Sequence, residues 1–448
     1  MTTDPHSRAP TSGWLGRVVD RVVDRVVDVR RAERRGLGYA FGCAFTMFLA
    51  YSMLRPVRET MGINAGVANL PMLFWATFAC TLVLQPVYGW VVSRFSRAIA
   101  LPRIYAFFAA TLVMFYVWFL AEADHTWVAR CFFVWISIFN LFVVAVFWSL
   151  MADIFTGEQA GRLFGFIASG ISTGGLLGPL VAGVLAPRLG GIQLLVLAAA
   201  LMLLAARWMH AMIRWHRQQA AHGRAGPDVN AALHGGAFAA FGQVLRTPYL
   251  RAVALFVLLL TSVSTVLYLE QQSAVAHAVT DPDARTVLFA RIDFTVQALS
   301  LVAQAVLFSR LLRRFGFATM LAAVPALVLL VFVVMASGLS FELTIGAIVV
   351  RRVGEYGVTR PCRDMLMSVI SRQEKYKAKQ LIDTFIYRGG DGLSASLMTA
   401  LSGPAIRPLV GVGLCGAWLV TAWWLGRRFE ATVRGMHRDA RPVKRAVG

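Results

Sequence analysis

The sequence predicts an all-α polytopic membrane protein of about twelve spanning helices, and three observations carry that prediction. Hydrophobic residues make up 58% of the 448 residues and charged residues only 15%. Apolar runs repeatedly approach the ~20 residues that a helix needs to cross ~30 Å of hydrocarbon. The formal net charge is +21, yet Lys and Arg gather in alternate loops between the apolar runs. That alternation is the positive-inside pattern, so the basic balance sets orientation and calls for no nucleic acid.

Taken in order, residues 1–35 form a basic cytoplasmic tail holding RVVD at Arg17, Arg21 and Arg25. Drawn as a helix, its valines gather on one side, which suits a helix lying on a membrane surface. A basic tail that only orients the chain is the other reading, because valine is a mediocre helix former. Spans are expected near 36–56, 68–93, 103–122, 127–152, 161–187, 191–213, 250–270, 288–309, 317–338, 341–370, 378–402 and 405–425. They form an N-terminal six-helix half (36–213), a polar cytoplasmic connector (214–249), a C-terminal six-helix half (250–426) and a basic tail (427–448). Both termini then lie on the cytoplasmic side, and a bacterial inner membrane is the expected location.

Cys43, Cys80, Cys131, Cys362 and Cys415 show no metal or redox spacing and read as small buried hydrophobes. Trp127, Trp135, Trp148, Trp423 and Trp424 suggest interfacial belts. No nucleophile–base pairing, metal cluster or phosphate-cradling glycine loop stands out, so an enzyme is disfavoured and no cofactor or metal is expected.

The stretch from Arg351 to Asp391 is dense in charge although it lies between and within membrane-length segments. Each charge at the centre of a spanning helix costs ~2.5–3.5 kcal/mol on insertion scales, so the cluster needs compensation. On span ten, Arg352, Tyr356, Thr359 and Arg363 fall at helical spacing and form one polar stripe. Arg351 with Glu355, and Arg360 with Asp364, are four apart and positioned to pair. Lys375, Lys377 and Lys379 line the cytoplasmic mouth, Asp383 lies one turn from Lys379, and Arg388 and Asp391 are three apart on span eleven. Guanidinium forks suit phosphate and carboxylate, while lysine supplies a point charge. An anionic substrate follows; an ion-pair network that only gates the pathway is the alternative.

Span one ends YSMLRPVRE, with Arg55, Pro56, Arg58 and Glu59. Its RPxR-plus-acid pattern recurs at Arg360, Pro361, Arg363 and Asp364 on span ten. Both clusters are candidate gates, although Arg55 and Arg58 could also be snorkelling anchors at the membrane surface. Glu270, Arg291, Asp293 and Asp153 lie near span ends, where headgroup level is the default position. Asp153, Glu158 and Arg162 are expected to form a surface ion-pair cluster.

Two six-helix halves joined by a cytoplasmic connector, with charges in the spans, resemble the major facilitator architecture. GWVVSRFSR after span two and SRLLRRFG after span eight resemble its loop motif. Gly170, Gly174, Gly178, Pro179 and Gly183 on span five resemble the glycine-proline motif of facilitator antiporters, but small residues four apart also simply allow close helix packing.

Within that architecture the chain resembles the ATP/ADP exchangers of plastids and obligate intracellular bacteria. Tyr51, Leu54, Arg55, Arg58 and Glu59 match the family's first span. Arg352, Tyr356, Pro361, Cys362, Arg363, Asp364 and Met365 match its span-ten run, and Lys375, Lys377, Lys379, Ile382 and Asp383 match its lysine loop. Glu270 and Asp293 keep the order of a functional glutamate and aspartate. Phe74 stands where the family has a lysine on span two.

The resemblance implies a monomeric alternating-access exchanger of anionic nucleotides in the lipid bilayer. Arg352, Tyr356, Arg360, Arg363, Lys377, Lys379 and Glu270 would be its substrate-binding residues. Arg55, Arg58, Glu59, Asp293, Asp364, Asp383, Arg388 and Asp391 would be gating or ion-pair residues. A proton-coupled carrier of a small organic anion or drug-like solute, using Glu270 or Asp293, stays open, as does a non-transporting receptor or scaffold.

Overall fold

The computed structural model describes residues 29–30, 32–94, 97–221, 247–335, 341–370, 378, 381–401 and 406–439. The RVVD repeats, most of the connector, and Lys375, Lys377 and Lys379 lie outside the described residues.

Spans one to seven are continuous helices: Arg34–Asn64, Leu70–Arg94, Arg97–Ala121, Thr126–Ile154, Gly157–Leu189, Leu194–Ala221 and Pro248–Ala278. Spans eight and nine run from Pro282 to Met335 and are separated at Gly316, whose φ of +79° only glycine adopts readily. Span ten is Phe341–Gly354, a π-helical turn Glu355–Thr359 and Arg360–Leu366. Span eleven is a π-helical turn Ile382–Ile386 leading into Tyr387–Ala400, and span twelve is Ile406–Asp439.

Nine helical stretches among the described residues are long and apolar enough to cross a membrane on those grounds alone. Spans eight and nine count there as one stretch, while spans ten and eleven carry charge and broken helical geometry. Helix six continues to Ala221 and helix twelve to Asp439, past the expected 213 and 426. Hydropathy marks the thickness of hydrocarbon; a helix can run on into water because its backbone hydrogen bonds are internal.

One apolar cluster fills the space among the first six spans, a second joins the later ones, and a small third packs Ile63 against Val275, Phe289 and Ile292. Spans one and five meet backbone to backbone. A Cβ on Gly174 would lie 2.5 Å from the Phe45 carbonyl oxygen, and one on Gly178 2.7 Å from Ser52 Cβ. Gly170, Gly174 and Gly178 therefore serve close packing against span one, which fixes the height of Arg55.

Span five begins in a capping box, with Thr156 and Gln159 satisfying each other's backbone N–H groups. Gln159 and Arg162 both donate to Glu33 at the entry to span one, at 2.9 and 3.1 Å. Glu33 thus joins the Glu158–Arg162 cluster that the sequence placed at this loop. Cys43, Cys362 and Cys415 are buried, whereas Cys131 is exposed because its face of span four points outward.

Candidate functional site

Between the two sets of six spans lies a cavity of about 800 Å³ whose wall draws on spans one, four, five, seven, eight, ten and eleven. A smaller chamber of about 190 Å³ adjoins it and shares Arg55, Glu355, Tyr356, Tyr387 and Arg388. Seven arginines and four carboxylates line the two together. The larger chamber reaches toward the end of the molecule holding the loop between spans four and five; the smaller lies nearer the opposite end.

Hydrogen bonds that join the two sets gather toward that opposite end. Thr60 and Thr286 hydroxyls meet at 2.9 Å, Arg285 donates to Asn64 at 3.1 Å, and Gln272 donates to the Glu59 carboxylate at 2.8 Å. The Gly191 N–H donates to Asp283 at 2.8 Å, and the Trp75 indole donates to Ser396 at 2.9 Å.

The π turn of span ten builds the wall. Within it the Arg360 N–H reaches back to the Glu355 carbonyl, and the next residue, Pro361, has no N–H to offer. The Tyr356 carbonyl is thereby deprived of its helical donor, and Gln304 supplies one from span eight at 3.0 Å. Gln304 itself lies in a π turn, Ala303–Phe308, and Gly357 permits this approach, since a Cβ there would lie 2.9 Å from Ala303 Cβ. Such turns add a residue to the helical circuit and re-aim side chains. Tyr356, Thr359, Arg360 and Arg363 all face the larger cavity as a result.

Asp293, only 2% exposed, is the electrostatic centre. Arg352 donates to its Oδ1 at 2.6 Å, and Arg55 Nε approaches its Oδ2 at 3.5 Å. Arg55 also reaches the Tyr356 hydroxyl at 3.5 Å. Asp293 therefore lies well inside span eight rather than at headgroup level, whereas Arg291 is exposed. Arg58 pairs with Glu59 at 2.9 Å and lies 4.3 Å above the Phe133 ring. Both span-one arginines are enclosed by protein and are not surface anchors.

Other expectations divide. Arg351 pairs with Glu355 at 2.7 Å. Arg360 turns instead onto the Tyr356 ring, 5.8 Å from its centroid, and Asp364 is exposed and lines neither chamber. Asp383 approaches Arg363 at 3.7 Å. The Arg388–Asp391 pair does not form, because Asp391 turns to threonine hydroxyls on span seven. Glu270 also lies outside both linings; Tyr268 and Gln271 face the smaller chamber, helical rotation turns Glu270 elsewhere, and it approaches Arg407 at 3.7 Å.

Phe74 packs edge-on against Phe133 and at a tilt to Tyr268, with centroids 6.1 and 5.7 Å apart, and closes one wall of the smaller chamber. Trp148 lines the larger cavity and Trp135 stacks within a phenylalanine cluster, so neither belongs to an interfacial belt; Trp127, Trp423 and Trp424 are exposed. Gln272, Gln304, Gln297 and Asn140 escaped the sequence reading. Their signal was present: an amide inside an apolar span is costly unless partnered or lining a cavity.

Helical spans surrounding a polar, arginine-rich central cavity, bridged at one end, define a membrane transporter. Residues 36–378 match the family model of the Major Facilitator Superfamily, and the chain belongs to that family. Among solved structures it is similar to a bacterial homologue of the iron transporter ferroportin in an inward-facing state. Identity there is 12% and TM-score 0.61, covering 90% of this chain and 98% of that one. The nucleoside transporter NupG gives 14% identity and TM-score 0.59, covering 90% and 99%. A bacterial homologue of the human lysosomal transporter Spinster, inward-facing and unoccupied, gives 13% and 0.56, covering 92% and 99%. At these identities the likeness is one of fold. No curated protein sequence matches the chain.

Proposed function

We propose that this transporter exchanges anionic nucleotides, of the ATP/ADP kind, by alternating access in a bacterial inner membrane, as a monomer with cytoplasmic termini. The observation that carries the reading is Asp293, clasped by Arg55 from span one and Arg352 from span ten. In the empty carrier this carboxylate balances the charge of only one of the two guanidinium groups it holds, which leaves one positive charge in excess. An arriving phosphate competes for them with bidentate, charge-assisted hydrogen bonds. A cavity of about 800 Å³ suits a substrate of nucleotide size. Tyr51, Trp148, Tyr356 and Tyr387 on its wall offer faces for a base. Arg360 and Arg363 add positive charge to the same wall, and Lys377 and Lys379 are assigned to the same substrate on the sequence resemblance alone.

Exchange follows when the empty carrier cannot carry unneutralised arginines past the midpoint of its cycle, so that each inward anion is answered by an outward one. The test is thermal shift of the purified protein against nucleotides and small organic acids, followed by counterflow in proteoliposomes with any hit. The reading expects ATP or ADP to stabilise and to drive counterflow, and Arg352→Gln and Arg363→Gln to weaken both at least tenfold. Unchanged binding and exchange in both variants would overturn it.

A further inference from the structure

The carboxylates around the two chambers are held in two different ways. Glu59, Glu355, Asp383 and Asp293 each have an arginine within 4 Å. Asp391, on span eleven in the wall of the smaller chamber, has no such partner among the described residues. Its Oδ1 accepts instead from the hydroxyls of Thr261 at 2.5 Å and Thr265 at 3.0 Å. The Thr261 hydroxyl also lies 3.2 Å from the Tyr387 carbonyl oxygen. Spans seven and eleven are pressed together here, since a Cβ on Gly390 would overlap the Thr261 methyl.

The ionisable groups that line this chamber with Asp391 are Arg388 and Tyr387 on its own span, Arg55, Arg58 and Glu59 on span one, Tyr268 on span seven, and Arg351, Arg352, Glu355 and Tyr356 on span ten. Arg58 is engaged with Glu59 and the Phe133 ring, and Arg351 with Glu355 and Ser264. Span two presents Trp75, packed on Gly392, which does not titrate. The charge of an ionised Asp391 is thus met by hydroxyl donors and not by an arginine in contact among the described residues.

We infer that Asp391 is a proton-binding site of the transport cycle. Protonated, its carboxyl donates to Thr261 Oγ1, Thr261 donates onward to the Tyr387 carbonyl, and every hydrogen has an acceptor. Ionised, it receives the hydrogens of both threonines. The two states differ by one proton and one hydroxyl rotation, with no backbone rearrangement. The proton enters Asp391 from the water of whichever chamber is open and returns to water after the carrier reorients, moving one positive charge. The inference goes beyond the exchange reading and does not depend on which anion is carried.

Infrared difference spectroscopy of the purified protein, stepped between about pH 4 and pH 9 without added substrate, tests it. The expected result is a reversible protonated-carboxyl band that Asp391→Asn deletes and Asp383→Asn retains. Thr261→Val combined with Thr265→Val should move its midpoint upward by at least one pH unit, because the ionised form loses both donors. A band that persists in Asp391→Asn, the absence of any titrating band in the unaltered protein, or a titration that follows sodium rather than pH would overturn the inference. If Asp391→Asn does not fold, an unmoved midpoint in the threonine variant does so. Since no nucleotide is used, failure of nucleotide exchange is read separately.

Discussion

Arg352 and Asp293 meet at 2.6 Å between spans ten and eight, with side chains only 9% and 3% exposed. A pair so deeply buried gains little net stability over an apolar replacement, because desolvation consumes most of the attraction. Its presence is better explained by what it can release. On the proposed reading it holds a guanidinium in place, neutral in sum, for an anionic substrate to claim.

Removing one member should be far worse than removing both. Asp293→Asn leaves Arg352 and Arg55 enclosed without their carboxylate, and a loss of about 3–5 kcal/mol is expected. Thermal unfolding in detergent should show a markedly lower Tm for this variant. Asp293→Leu combined with Arg352→Met should recover part of the loss; equal Tm values for all three proteins would dismiss the pair as a structural element.

The contact between spans one and five predicts a sharp size limit. Gly174→Leu must displace the Phe45 carbonyl and the Leu49 N–H, both within 2.8 Å of the new Cβ, and overpacking of this kind costs about 1–3 kcal/mol or more. Gly183→Ala meets only Ala290 Cβ at 3.6 Å and should be tolerated. Size-exclusion profiles and Tm of the two variants make the comparison.

Acid should loosen the junction of spans one and five. Burial alone raises the Glu33 carboxyl, but hydrogen bonds from Gln159 and Arg162 outweigh it and hold the group below its ordinary value. A depressed folded-state value means that the stabilisation is complete above the unfolded-state value, ~4.3, and disappears as pH falls through the folded one. Glu33→Gln should flatten the acid limb of a Tm-against-pH profile below about pH 4 while changing little near neutrality. An unchanged acid limb would show that Glu33 does not set it.

Phe74 offers a gain-of-affinity test. Phe74→Lys would bring an ammonium group into the wall of the smaller chamber, near Arg58 above Phe133. Triphosphate binding should strengthen relative to monophosphate by about tenfold, ~1.4 kcal/mol, in a thermal-shift titration. Equal changes for both would show that the added charge does not meet the phosphate tail.

Much of the architecture was legible because the bilayer imposes a simple rule on sequence. Nine stretches declare themselves by length and apolarity among the described residues, and the charged spans ten and eleven were recognisable from helical spacing. Local pairs were partly legible: Arg351–Glu355 forms at its four-residue spacing, whereas Arg360 leaves Asp364 for the Tyr356 ring across a π turn that spacing rules do not anticipate. Pairings between distant spans were not legible. Nothing local in the sequence says that Glu270 meets Arg407, that Asp391 meets Thr261, or that Gln272 caps Glu59. Those partners are set by which helices the apolar clusters bring side by side.

The two clasps on Asp293 do not belong to the same set of spans. Arg352 shares the second set of spans with Asp293, while Arg55 rides on span one, seamed to span five by Gly174 and Gly178. If the proposed alternating access parts the bridges at Thr60–Thr286 and Arg285–Asn64, the first clasp would travel with the aspartate and the second would be pulled away. One half-cycle would therefore strip a single guanidinium from its counter-ion, making Arg55 a charge that is uncovered on one face of the membrane and hidden on the other.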